Sequence, residues 1–196
     1  MSSQEYARSL PVILGQKIQL RQIQEEDADP LLSMLSDPQI RQTIYSDQLA
    51  SPLRAQRILS QMLGRDRQNS LHLGVSRLGE DPLIGVVSLQ HWRQMSGQAT
   101  LGFLIDSAYW NRGYASEAVQ LLLRMAFDKL RMKRIEGRCQ SSNTASERIM
   151  IKNGMQLDRM ITGSPFAAVS SGELGGAEND IRVYYLTEHH YQLQRP

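Results

Sequence analysis

Three apolar runs follow one another closely between residues 71 and 105: LHLGVSR (71–77), LIGVVSL (83–89) and ATLGFLI (99–105). Gly79 to Pro82 and Met95 to Gln98 separate them with turn-forming residues, so the middle of the chain reads as three strands joined by short turns. Connections that short join antiparallel neighbours, which makes this stretch a meander. The chain then changes period. Residues 109–118, YWNRGYASEA, lead into AVQLLLRMAF, and Ala115, Ala118, Val119, Leu122, Met125 and Ala126 fall on one stripe of a helix from about Gly113 to Leu130. RIEGRC (134–139) is the next strand candidate. The helical connection before it is long enough for parallel pairing with ATLGFLI. A meander followed by a crossover defines a mixed sheet covered by helices.

The remaining segments extend the same architecture. KIQLRQ (17–22) alternates like a half-buried strand. EEDADPLLSML (25–35) opens with acids and a proline, as helices do, and stops before Asp37-Pro38. Ser51-Pro52 reads as an N-cap followed by proline at the first helical position, with Ala55, Ile58, Met62 and Leu63 on one face and Gly64 placed to end the helix. Thr144-Ala-Ser-Glu147 fits the capping-box pattern and opens a short helix that Gly154 closes. MQLDRMI (155–161) and IRVYYL (181–186) are the last strands. Between them, GSPFAAVSSGELGGAEND (163–180) is a Gly/Ser/Ala-rich loop of a length that is usually functional or disordered. The expected fold is α/β with the element order β-α-α-β-β-β-α-β-α-β-β. No linker or repeat divides it, so one domain is expected over 1–196, with its core at about 17–190.

Composition narrows the function classes. Lys plus Arg is 22 and Asp plus Glu is 20, a net +2 that is too balanced to argue for nucleic acid binding. The basic cluster KLRMKR (129–134) suits a helix end favoured by the macrodipole, or a contact for an outlying phosphate. No apolar run is long enough to cross a bilayer. The N-terminal MSSQEYARSLPVILG lacks the cationic lead-in and full apolar region of a signal peptide. Cys139 is the only cysteine, which excludes an intramolecular disulfide and a Cys-based zinc site. The expectation is a cytoplasmic protein, monomer or homodimer, without metal, membrane or nucleic-acid partner.

The stretch YWNRGYASEA carries the chemistry. The first amides of a helix have no intrahelical partners and sit at the positive end of its dipole. Gly113 lets the backbone turn without a side chain in the way, and Ala115 permits close approach. Asn111, Arg112, Gly113, Tyr114 and Ala115 then point successive N–H groups at a pyrophosphate, and Arg112 adds charge. On the residues alone, a plain strand–glycine–helix turn is the alternative.

Trp110-Asn-Arg-Gly-Tyr-Ala115 resembles the Gln/Arg-x-x-Gly-x-Gly/Ala coenzyme A motif of the GNAT superfamily of N-acetyltransferases. The resemblance runs through nearly the whole chain. It includes the element order, a helical Asn-x-x-Ser at Asn143 and Ser146, and Lys-Asn-Gly (152–154) where the family has Lys-x-Gly-Phe, with Met155 replacing Phe. The wording Tyr-Trp-x-x-Gly-Tyr-Ala-x-Glu-Ala and the ending at Glu188 to Tyr191 look most like the branch that acetylates N-termini of ribosomal proteins. The resemblance implies acetyl-CoA as acyl donor. Phe103, Leu104 and Ile105 match the strand whose backbone pairs with the pantetheine arm, by the logic of β-augmentation. Asn111 through Ser116 match the pyrophosphate loop. Asn143 matches an asparagine that touches the cofactor, with helix capping as its alternative. Ser146 matches a hydroxyl near the coenzyme A sulfur and is the expected acid; many other members carry a tyrosine where Met150 stands.

Acetyl transfer needs a neutral amine, a polarised carbonyl and a base for the amine's proton. Asp158 is the expected base, aligned with an acidic residue of the branch's Gly-Phe-x-x-Glu segment, and Glu136 is second. No covalent enzyme intermediate is implied, so Cys139 reads as a small buried apolar residue. His72 and His91 lie on or beside strands; Trp92 and Tyr45 either line the acceptor side or pack in the core. The implied function is acetyl-CoA-dependent N-acetylation of a primary amine, in first place a protein N-terminus. The alternatives are a small amine such as a polyamine or aminoglycoside, a non-catalytic acyl-CoA-binding module, and a partner-binding scaffold using the loop 163–180.

Overall fold

The computed structural model of the protein describes residues 10–43, 69–162 and 180–194, together with Ser60 and Met62. Its framework is one eight-stranded sheet. Strands β1 (Ile13–Leu14), β2 (Ile18–Gln22), β3 (Leu71–Arg77), β4 (Leu83–Arg93) and β5 (Gln98–Ile105) lie side by side in chain order, all antiparallel. Strand β6 (Arg134–Gln140) pairs parallel to β5; β8 (Ile181–Thr187) pairs antiparallel to β6, and β7 (Gln156–Ile161) forms the edge beside β8. The expected meander and crossover are both present. The parallel pair follows from helix α3 (Tyr114–Asp128), which carries the chain back to the starting edge of β5.

The sheet buries both faces. On one face lies α3 with its buried Ala118, Val119, Leu122, Met125 and Ala126, packed against Ile18, Leu20, Val87, Leu89, Ala99, Leu101 and Ile135. Each large aliphatic side chain buried there stabilises the fold by about 1.5–3 kcal/mol. Leu121, Leu123 and Phe127 are buried as well, so α3 is covered more widely than its sequence stripe indicates. Part of the cover is α5 (Glu188–Leu193), a C-terminal helix the sequence reading lacked, whose Tyr191 ring stacks on Phe127 at 4.8 Å. Thr187 caps α5 through its hydroxyl, which accepts from His190 N at 3.2 Å.

The opposite face carries a smaller cluster. Helices α1 (Ala28–Ser36) and α2 (Pro38–Thr43) contribute Leu31, Met34 and Ile40 against Leu83, Val86 and the partly buried Leu104. Helix α1 ends where expected, at Asp37, but Pro38 opens α2 rather than a loop, as proline does at a first helical position. Of the second expected helix only Ser60 and Met62 are described, both helical; its remainder, Tyr45 and the loop residues 163–179 lie outside the described residues.

Two further expectations are corrected. Helix α4 (Thr144–Lys152) is capped by Asn143, whose Oδ1 accepts from Ser146 N at 3.0 Å, not by Thr144. Glu147 is drawn away from any capping box because its carboxylate binds Arg182 at 2.6 Å and the Tyr184 hydroxyl. Strand β4 runs on to Arg93 instead of ending at 89, and takes in Trp92, which is 4% exposed and packs in the core, one of its two expected places.

A buried ion pair fastens α1 to the sheet. Arg21 on β2 donates to Asp27 through Nη1 at 2.7 Å and Nη2 at 2.8 Å, and Gln24 N donates to the same carboxylate at 2.8 Å. Burial raises the Asp27 pKa, but the Arg21 and Gln24 hydrogen bonds outweigh it and hold the group below its ordinary 3.8. A lowered folded-state pKa stabilises the fold above the unfolded value, and the contribution is lost as pH falls through the folded one. Asp27→Asn is therefore expected to cost roughly 3 kcal/mol in urea denaturation at pH 7, because Arg21 is left without its carboxylate. The gap between variant and wild type should shrink as pH falls below 3.8; a gap independent of pH would remove the ion pair from the account.

Candidate active site

Strands β5 and β6 share only four residue pairs, from Gln98 with Arg134 to Leu101 with Gly137. Beyond that point β5 pairs with β4 alone, through Gly102 to Ile105, and β6 pairs with β8 alone, through Arg138 to Gln140. The sheet is open there. Gly97 O accepts from Lys133 and Arg134 on the β6 side, whereas Asp106 N donates to Ile84 on the β4 side. Alternation along an antiparallel strand therefore directs the backbone groups of Phe103 and Ile105 into the opening. Ile105 O is taken by Trp110 Nε1 at 2.7 Å. An open strand edge of this kind is a template for an added, amide-bearing strand.

Because β5 and β6 are parallel, the helices that follow them both begin at the same end of the sheet. The N-termini of α3 and α4 thus flank the opening, the position where open α/β sheets bind ligands. The loop into α3 is built by local bonds. Asp106 Oδ1 accepts from Ala108 N at 2.9 Å, closing a 3₁₀ turn at Ser107–Tyr109. Asn111 and Gly113 then take left-handed conformations, φ 61° and 84°. Gly113 is the N-cap of α3 and supplies no side-chain cap, so the opening amides keep their donors outward. A Cβ built on Gly113 would meet only Lys17 Nζ, at 3.8 Å, which leaves space over the loop. Open amides, a helix dipole and an uncrowded glycine fit a pyrophosphate.

The expected residues divide by location. Phe103, Leu104 and Ile105 lie at the opening, and Asn111, Arg112, Gly113, Tyr114, Ala115 and Ser116 form the adjoining loop and first turn. The Arg112 guanidinium, however, turns back to Ala108 O at 3.2 Å and over the Tyr109 ring at 5.5 Å. Asn143 and Ser146 stand at the N-terminus of α4; besides its cap, Asn143 donates from Nδ2 to Thr43 O at 3.2 Å, tying α4 to α2. Asn153, in the Lys-Asn-Gly segment, donates to Ser116 O at 3.2 Å and locks the end of α4 to the first turn of α3. Met150 is buried on Gly137, the last residue of β6 paired with β5; its Sδ lies 2.5 Å from where a Cβ would stand.

Glu136 and Asp158 occupy the other face of the sheet. Thr100, Glu136 and Tyr185 are in register across β5, β6 and β8, on the same face as Leu104. Both carboxylates are tied up by guanidinium groups. Asp158 accepts from Arg134 at 3.0 Å and from Arg159; Glu136 accepts from Arg134 at 3.3 Å and Arg138 at 3.4 Å. Burial raises the Glu136 pKa, but Arg138, Arg134 and Arg159 together hold it below the ordinary carboxylate value. Two polar residues that the sequence reading did not single out lie on β4, across β5 from the divergence: Ser88, opposite Gly102, and Gln90, opposite Thr100, joined by a 3.0 Å hydrogen bond. Their alternation inside an apolar strand was the available signal. His72 lies opposite Ser88, and His91 is exposed at the β4 irregularity with φ 51°. Cys139 is buried on β6, and burial followed by the nearby Glu147 charge pushes its thiol up to about 11, so it is not a nucleophile at neutral pH.

The acetyltransferase (GNAT) domain family model matches residues 17–156, and the chain belongs to this family. A Bacillus licheniformis relative, the uncharacterized N-acetyltransferase p20, is 26% identical over 156 residues, 78% of this chain and 86% of its own. The ribosomal-protein-serine acetyltransferase of Escherichia coli is 26% identical over 105 residues, 54% of this chain and 55% of its own. Two solved structures share the fold with a TM-score of 0.74. One is a ribosomal L7/L12 alpha-N-protein acetyltransferase in complex with coenzyme A, 16% identical, covering 90% of this chain and 98% of its own. The other is spermidine N-acetyltransferase from Vibrio cholerae in complex with coenzyme A and spermine, 14% identical, covering 89% and 98%. The protein is an N-acetyltransferase enzyme of the GNAT fold.

Gly113→Pro tests the loop. Proline fixes φ near −65° and removes an N–H, where the loop needs 84°. Acetyl-CoA affinity measured by calorimetry is expected to fall at least about tenfold while the far-ultraviolet circular dichroism stays that of the folded protein. Unchanged affinity would take the loop out of the site.

Proposed function

We propose that the protein transfers an acetyl group from acetyl-CoA to the α-amine of a protein N-terminus, by direct attack in a ternary complex. The observation that carries the cofactor half is the opening between β5 and β6, flanked by two helix N-termini. On this reading the thioester supplies the acetyl group. The amides of Asn111 to Ser116 bind its pyrophosphate, and the β5 edge at Phe103 to Ile105 pairs with the pantetheine arm. Asn143 holds α4 in place beside it. Ser146, whose backbone N–H is taken by Asn143, offers its hydroxyl to the departing thiolate.

The acceptor half rests on the charges of the opposite face. Arg134, Arg138 and Arg159 surround Glu136 and Asp158, so this pair of carboxylates is compensated and does not attract a polycation. The Glu136 carboxylate is held below its ordinary pKa by these arginines. With Glu136 a weakened base, the amine must arrive largely unprotonated. An α-amino group, with a pKa of about 8, has roughly a tenth of its molecules neutral at pH 7; a lysine side chain at about 10.4 has well under a thousandth. The E. coli relative's name, a ribosomal-protein-serine acetyltransferase, points the same way.

Two measurements test this. Coenzyme A release is compared for a peptide with a free N-terminus, the same peptide blocked there but carrying an internal lysine, and spermidine. The free N-terminus is expected to be fastest; a faster lysine peptide or spermidine overturns the N-terminal assignment, and no turnover with any amine favours a non-catalytic acyl-CoA-binding role. Ser146→Ala is expected to lower kcat with little change in acetyl-CoA affinity. Loss of stability with unchanged kcat would instead assign Ser146 to the helix start alone.

A further inference from the structure

The phosphate loop has a cationic neighbour that its own sequence does not contain. The turn between β1 and β2 places Lys17 beside the N-terminus of α3, where Nζ donates to Arg112 O at 3.4 Å and lies 3.8 Å from the Cβ position of Gly113. That single long bond leaves the ammonium two further N–H donors beside the open amides. Arg112 does not fill this role, because its guanidinium is bonded to Ala108 O and covers Tyr109. The turn itself is fixed. Glu117, in the first turns of α3, accepts from the backbone N–H of Gln16 and, at 3.0 Å, of Lys17. Gly15 makes this approach possible, since a side chain there would collide with the Glu117 carboxylate. The Glu117 charge is thereby met by two amides of the turn rather than by the ammonium.

We infer that Lys17 is a further phosphate-binding residue, whose ammonium meets the pyrophosphate of the bound acyl-CoA from the β1–β2 turn, and that Glu117 is the positioning residue that holds the turn in place. The inference rests on the acetyl-CoA reading of the loop. A hydrogen-bonded ion pair with a phosphate oxygen is one of the stronger polar contacts, and here it is partly screened by solvent.

The test is equilibrium binding, measured by calorimetry on the full chain, of coenzyme A, 3′-dephospho-coenzyme A and pantetheine to wild type, Lys17→Met, Lys17→Arg and Glu117→Gln. Lys17 is exposed, so its variants are expected to keep the wild-type melting temperature. Lys17→Met should weaken coenzyme A and dephospho-coenzyme A alike, by about tenfold, and leave pantetheine unchanged; Lys17→Arg should restore most of the loss. Glu117→Gln should show the same ligand pattern with a smaller loss, through a less well-held turn. Equal coenzyme A affinity in wild type and Lys17→Met overturns the inference while leaving the acetyl-CoA reading intact. A loss seen with coenzyme A but not with dephospho-coenzyme A overturns it too, because the ammonium would then serve the 3′-phosphate. A wild-type protein that binds no coenzyme A removes the reading beneath it.

Discussion

Everything at this site depends on the separation of β5 from β6 after Leu101 and Gly137. Up to that pair the two strands share a ladder; past it each keeps only its outer neighbour. A backbone amide or carbonyl that loses its partner costs about 1–3 kcal/mol unless water or a ligand replaces it. Trp110 Nε1 takes Ile105 O, and the rest of the strand edge at Phe103 and Ile105 is matched to a chain with amides of its own. The same divergence fixes where the helix dipoles point. Both α3 and α4 start at the C-terminal ends of parallel strands, so their positive ends face one opening from two sides.

The loop between β5 and α3 is held from three directions. Trp110 ties it back to β5, Glu117 ties the first turns of α3 to the β1–β2 turn, and Asn153 ties that helix start to the end of α4. These supports leave the amides of Gly113 to Ala115 as the part of the loop not committed to holding it. Binding sites act through groups whose geometry is set before the ligand arrives, because ordering them afterwards subtracts from affinity. Left-handed φ values at Asn111 and Gly113 are the conformational cost of that arrangement, and glycine at 113 keeps the cost low.

The parts of this arrangement that the sequence made legible are the ones encoded locally. The period-two runs, the Gly-Tyr-Ala helix start and the apolar stripe of α3 all express contacts or conformations within a few residues, and strands β3 to β6 lie within a few residues of their expected ends. What escaped was set by distant partners. Thr144-Ala-Ser-Glu147 has the form of a capping box, but Glu147 answers instead to Arg182 and Tyr184 on a strand 35 and 37 residues away. Arg112 sits in the phosphate loop by sequence, yet the neighbouring Tyr109 ring and Ala108 carbonyl give its guanidinium a nearer partner. Lys17 is separated from Arg112 by 95 residues, and only the folded sheet brings them together. Glu136 and Asp158 were visible as carboxylates, whereas the arginines that bind them became apparent only through the register of β6, β8 and β7.

The two faces of the sheet consequently have different electrostatic tasks on the proposed reading. The cofactor side gathers positive ends: two helix N-termini and the Lys17 ammonium, with the nearby Glu117 carboxylate spent on backbone amides. The acceptor side gathers charges that cancel. Arg134 lies 4.2 Å from the Tyr185 ring centroid while it binds both carboxylates, which fixes its guanidinium in a planar, stacked position that lysine does not reproduce. A face arranged in this way binds by shape and hydrogen bonding more than by net charge. It holds Glu136 below its ordinary basicity, so on the proposed reading the attacking amine must arrive already neutral. The acceptor's ionisation, rather than a protein base, then sets the pH range over which transfer is fast.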